Sequence, residues 1–146
     1  MTYFRNLSGS VSKVPTGGTA TNNTGSLLSK GTPVSIDETS GDIELIDVSN
    51  EDSSKAGFAV VRIDSPAGSS LEYVTSGKIE DISVAFNFGA TVYVSKSGGL
   101  TDVAPAIGVG GFVEGDFMIM IGRVAKNNSD PLKKDLLVNI EPPIQI

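Results

Sequence analysis

The amino-acid sequence predicts an all-β fold, a compact β-barrel or β-sandwich of about 8 short strands with an extended N-terminal arm. Two observations carry this. Short runs rich in Val, Ile, Phe, Tyr and Thr recur with turn residues between them. In addition, 17 Gly and 7 Pro leave little room for helices, and the longest stretch free of both runs only from Asp42 to Ala56. A chain of 146 residues has the length of one domain.

The arm comes first. Between Met1 and Ile36 stand Arg5, Lys13 and Lys30 and no carboxylate, so this stretch carries +3 within a chain of net charge −6. Ser8 to Gly31 consists largely of Ser, Thr, Gly and Asn, which offer little apolar surface to offset the entropy of ordering them. Residues 1–31 are therefore expected to form an arm, flexible alone or ordered on a partner. In the second case Tyr3 and Phe4, with Leu7, Val11 and Val14, would be buried there while Arg5, Lys13 and Lys30 met carboxylates. A frayed terminus with scattered apolar residues is the plainer reading.

Residues 32–141 are expected to form the β-domain, with strands at Pro33 to Ile36, Ile43 to Val48, Gly57 to Ile63, Ser70 to Val74, Gly77 to Ile82, Thr91 to Ser95, Phe117 to Val124 and Leu136 to Ile140. Ser40-Gly41-Asp42, Ser65-Pro66-Ala67-Gly68, Ser76-Gly77, Ser97-Gly98-Gly99 and Asn127 to Pro131 supply the reversals between them. Ser49 ahead of Glu51 and Asp52 could cap one short helical turn. The apolar run Phe117 to Ile121 suits a strand buried on both faces, or one whose outer face meets a neighbouring subunit. Residues 142–146 begin with two prolines and should be an extended tail.

Composition excludes much chemistry. Without Cys there is no disulfide, no thiolate nucleophile and no Cys-ligated metal, and without His the common general base is missing, so no enzyme and no cofactor are expected. Gly108-Val109-Gly110-Gly111-Phe112-Val113 has Val where a dinucleotide loop needs its third Gly, and reads as a turn. Asp47 to Asp52 alternates oxygens but lacks the Gly and final Glu of a calcium loop. The acidic body and the spread of the nine aromatics argue against nucleic acid, and no apolar run is long enough for a membrane helix. Carboxylate pairing, with Glu80, Asp81 and Asp116 as candidates for a glycosidase, depends on three-dimensional approach.

From Ser76 to Ile140 the order of signals resembles a module of tailed-bacteriophage structural proteins, particularly capsid decoration, cement or auxiliary head proteins. Its residues here are Gly77, then Phe86 to Ser95 with Gly89 and Tyr93, then Gly98-Gly99-Leu100-Thr101, then Ile121-Gly122-Arg123-Val124-Ala125 and Leu136 to Ile140. Gly89 would permit a reversal, Gly98-Gly99 would close a hairpin and Gly122 would let two backbones approach closely. The resemblance implies a homotrimer on the outside of a phage head, made in the host bacterial cytoplasm and bound to the major capsid protein. A tail-fibre, head-fibre or neck component with a receptor- or glycan-binding role is the alternative.

Overall fold

The computed structural model describes residues 16–50 and 57–146. The chain is all-β: eleven strands and no helix occur among the described residues. In chain order they are β1 (Thr16–Thr21), β2 (Pro33–Ile36), β3 (Ile43–Leu45), β4 (Gly57–Val61), β5 (Ser70–Ile79), β6 (Thr91–Val94), β7 (Leu100–Thr101), β8 (Phe117–Met118), β9 (Met120–Lys126), β10 (Lys134–Asn139) and β11 (Ile144–Gln145). Nine of them form one antiparallel sheet in the order β3-β2-β4-β5-β10-β9-β6-β7, with β1 added on β5, while β8 and β11 pair separately. The end strands β3 and β7 do not pair, so the sheet stays open and sandwich-like instead of closing into a barrel.

β5 organises the molecule. Ser70 to Ser76 pair with β1, Tyr73 and Val74 also with β4, and Ser76 to Ile79 with β10. The expected turn at Ser76-Gly77 is absent; Gly77 remains in the strand opposite Val138, with φ +116° that a side chain would resist. That irregularity changes the alternation. Val74 and Ile79, five residues apart, therefore both enter the larger apolar cluster.

Two clusters fill the interior, and β4 separates them. Its Val60 faces the larger one with Val74, Ile79, Val92, Val94, Ile119, Ile121, Leu136 and Val138, while Ala59 and Val61 face Leu28, Val34, Ile43 and Leu71. Burial on both sides explains why Phe58-Ala59-Val60-Val61 is continuously apolar instead of alternating. The run Phe117 to Ile121 is divided between two strands. Phe117 and Met118 pair with the C-terminal β11, and a bulge at Ile121 opposite β6 lets both Ile121 and Val124 point inward.

The N-terminal boundary differs from expectation. Tyr3, Phe4, Arg5 and Lys13 lie outside the described residues, but 16–31 belongs to the body: β1 is a strand, Asn22 and Leu28 are buried, and Lys30 is fastened. Lys30 N–H donates to Asp64 Oδ1 at 2.8 Å and its Nζ to the Glu80 carbonyl at 3.1 Å. The Thr- and Gly-rich composition misleads because these residues gain their order from distant partners on β5 and the 61–65 segment. Within residues 142–146, β11 pairs with β8.

Candidate docking surface

The segment between β7 and β8, residues 102–116, is built from tight turns. Val109 N–H donates to the Ala106 carbonyl, Phe112 N–H to that of Val109 and Asp116 N–H to that of Val113, at 2.9, 3.0 and 3.1 Å. Each reversal has glycine where φ must be positive: Gly108 at +84°, Gly110 and Gly111 at +60° and +88°, and Gly115 at +96°. The candidate dinucleotide loop is thus a run of consecutive turns, with no helix after it.

Buried groups fix this segment to the body. Phe112 inserts into the larger cluster and Pro105 is buried. Lys96 Nζ donates to Asp116 Oδ2 at 2.6 Å, and Val113 N–H reaches the same oxygen at 2.9 Å. The C-terminus locks the base, since Gly115 N–H donates to the Ile146 carbonyl and Ile146 N–H to the Asp116 carbonyl.

What the loop presents outward is apolar. Val103, Ile107, Val109 and Val113 are 53, 60, 39 and 56% exposed, four of the ten large apolar side chains so exposed among the described residues. Ile107 stands at the second position of the first turn and is the most exposed of the four. Asp102 and Glu114 bracket the segment with negative charge. Four exposed apolar side chains on one short segment fixed by turns and buried anchors make it the candidate docking surface.

Acid is expected to loosen this loop. The Lys96 ammonium, and after it the Val113 N–H, hold the Asp116 carboxyl below its ordinary 3.8. A depressed folded value makes the stabilisation complete above 3.8 and lost as pH falls through that lower value. Melting temperatures followed into acid should therefore fall further for the wild type than for Lys96→Met; parallel curves would contradict this.

Other carboxylates are tied to structural partners. Asp37 Oδ1 accepts from the Ser40 and Thr39 backbone and the Thr39 hydroxyl, which lowers its pKa to about 2 and shapes the β2–β3 turn. Asp47 Oδ1 accepts from Ser49, and Glu51 and Asp52 of the calcium candidate and the expected helical turn lie outside the described residues. Glu80, Asp81 and Asp116 each have a separate partner: Asn127 donates to Glu80, Lys133 is 3.5 Å from Asp81, and Lys96 holds Asp116.

A second feature went unread in the sequence. Asp135, fully buried on β10, accepts at Oδ1 from the Asp81 backbone N–H and from Asn127 Nδ2, both at 2.9 Å. Its Oδ2 accepts no hydrogen bond and lies 3.7 Å from Lys78 Nζ. Asp81 has φ +58°, a strained value for a side-chain-bearing residue, and its amide points at Asp135. The cluster fastens the end of β5 to the β9–β10 connection.

The module residues all lie in the described body. Gly89, at φ +83°, ends a turn and donates to the Val124 carbonyl at 2.7 Å. Lys126 and Lys134 ammonium groups stand 5.9 and 5.7 Å from the ring centre of the neighbouring Phe88. Gly98 and Gly99 close the β6–β7 hairpin, in which Tyr93 faces Thr101 and Leu100 faces Val94. At Gly122 a Cβ would overlap the Leu137 carbonyl oxygen. No protein-family model and no curated protein matches the chain.

Proposed function

We propose that this chain is a structural virion protein, a decoration or cement protein that binds the outside of a tailed-phage head through the 102–115 loop. The observation that carries the binding role is the fixed apolar loop. Its turns and buried anchors supply, before any encounter, the order that a flexible segment would have to acquire on binding. The phage setting rests on the resemblance of Gly77, Gly89, Tyr93, Gly98 to Leu100 and Gly122 to the decoration-protein module.

In this reading the partner is the major capsid protein, the protein acts as a homotrimer, and it joins the virion surface after synthesis in the host cytoplasm. No bond is made or broken. Binding to the assembled shell and not to its dissociated subunits stabilises the shell by mass action, each copy adding RT ln(1 + [L]/Kd). The test is to add the chain to expanded heads of the encoding phage that lack it. Saturable co-sedimentation with a rise in the temperature at which the heads rupture is expected; heads that neither bind it nor gain stability would refute the proposal.

A further inference from the structure

β1 has one edge bonded to β5 and one open edge: among the described residues, Thr16–Thr21 pair with no other strand. Asn22 N–H donates to the Ser69 carbonyl across the β5 side, so alternation turns the backbone groups of Thr19 and Thr21 outward. Edges of this kind are ordinarily blunted by Lys, Pro or an inward charge, whereas Thr-Gly-Gly-Thr-Ala-Thr carries none of these. The strand is also held firmly, since a Cβ at Gly17 would overlap the Tyr73 carbonyl oxygen and Thr75 Oγ1 donates to the Thr16 carbonyl. A rigid, uncharged and unprotected edge is a template for one more strand.

We infer that this edge receives residues 1–15 of a second copy of the chain, each protomer donating its N-terminal segment to the next. The donor leads directly into β1 of its own body, so the acceptor edge and the donor's point of departure lie together. Covering its own edge would require a tight hairpin just before Thr16. The residues there, Ser12-Lys13-Val14-Pro15, include no Gly, Asn or Asp to take the positive φ of such a turn. Fifteen extended residues reach about 50 Å, more than the roughly 36 Å across a domain of this size. Charge favours the exchange as well: the donor has Arg5 and Lys13 and no carboxylate, and residues 37–146 carry −9.

The donated strand would contribute backbone hydrogen bonds, and Tyr3, Phe4, Leu7, Val11 and Val14 supply apolar area that a six-residue edge alone lacks. Head-to-tail donation closes into a ring where the rotation between copies permits it, in keeping with a trimer. It assigns the arm to a neighbouring copy of the chain.

Two full-length variants test this by light scattering without capsids, so the outcome is independent of the capsid role. Thr19→Pro blocks the edge by removing an outward N–H while leaving the β5 ladder intact. Leu7→Pro with Val11→Pro spoils the donor. The wild type is expected at an integer multiple of 15.1 kDa, three for the trimer, and each variant alone at 15.1 kDa with an unchanged β-sheet circular dichroism spectrum. Mixed, the variants should form a one-to-one dimer, because one keeps the donor and the other the edge. A monomeric wild type overturns the inference, as does a donor variant that still associates, which would mean β1 pairing with β1, or a mixture that stays monomeric.

Discussion

Gly122→Ala is expected to destabilise the protein by about 3 kcal/mol, or about 10 °C in melting temperature. Gly122 sits in β9 opposite Val138 and Val92, between two neighbouring strands near the middle of the sheet. A Cβ there overlaps the Leu137 carbonyl oxygen and lies 3.2 Å from Val138 Cα, so what must yield is backbone and not a flexible side chain. Relief requires β9 and β10 to part, which weakens the ladder and opens the larger apolar cluster where Val124 meets Leu136. Gly68→Ala separates this cause from backbone strain. Gly68 has φ +79°, and a Cβ added there would meet nothing within 4 Å, so its cost should be that of the positive φ alone, about 1 kcal/mol. Equal melting temperatures for the two variants would contradict the close-approach account.

The second large effect is expected at Asp135. Asp135→Ala removes the acceptor of both the Asp81 N–H and Asn127 Nδ2, and leaves Lys78, only 18% exposed, without its counter-charge. Losing one member of a buried charged set costs about 3–5 kcal/mol, mostly because the remaining groups are stranded. Asp135→Asn keeps an acceptor at Oδ1 and should cost less than half as much, losing chiefly the attraction to Lys78. Chemical denaturation of the two variants measures this order. If Asp135→Ala proved no worse than Asp135→Asn, the hydrogen-bonded junction would not be what holds the β9–β10 connection to β5.

Much of the sheet was legible because local pattern and tertiary role agree. Pro33–Ile36 is a strand as expected, Val92 and Val94 alternate inward, and Gly98-Gly99 closes the hairpin its composition announced. Failures fall where a distant partner decides. Thr-Gly-Gly-Thr-Ala-Thr has little strand propensity of its own and becomes β1 through pairing with residues about fifty to sixty positions away on β5. Ser76-Gly77 has the composition of a turn, yet the pairing of Gly77 with Val138 keeps it in a strand. Phe117 to Ile121 is uniformly apolar, so nothing local reveals that its first two residues turn to β11.

The candidate site divides in the same way. Glycine spacing at Gly108, Gly110 and Gly111 announced a turn, but sequence could not say that Phe112 is the buried anchor while Ile107 and Val109 stand in solvent. Lys30 looked like a free cation of the arm because Asp64 and Glu80, which hold it, are 34 and 50 residues away. Asp135 carries no signal beyond an acidic residue at the start of an apolar strand.

Binding to expanded heads by wild type, by Ile107→Asp with Val109→Asp, and by Leu132→Asp tests the central claim most directly. Leu132 is 88% exposed but lies away from the loop, between β9 and β10. Truncating or charging a central apolar contact costs about 2 kcal/mol or more, so the double loop variant should bind at least about 100-fold more weakly while Leu132→Asp binds like wild type. Undiminished binding by the loop variant, with its fold intact, would contradict the assignment of 102–115 as the docking surface.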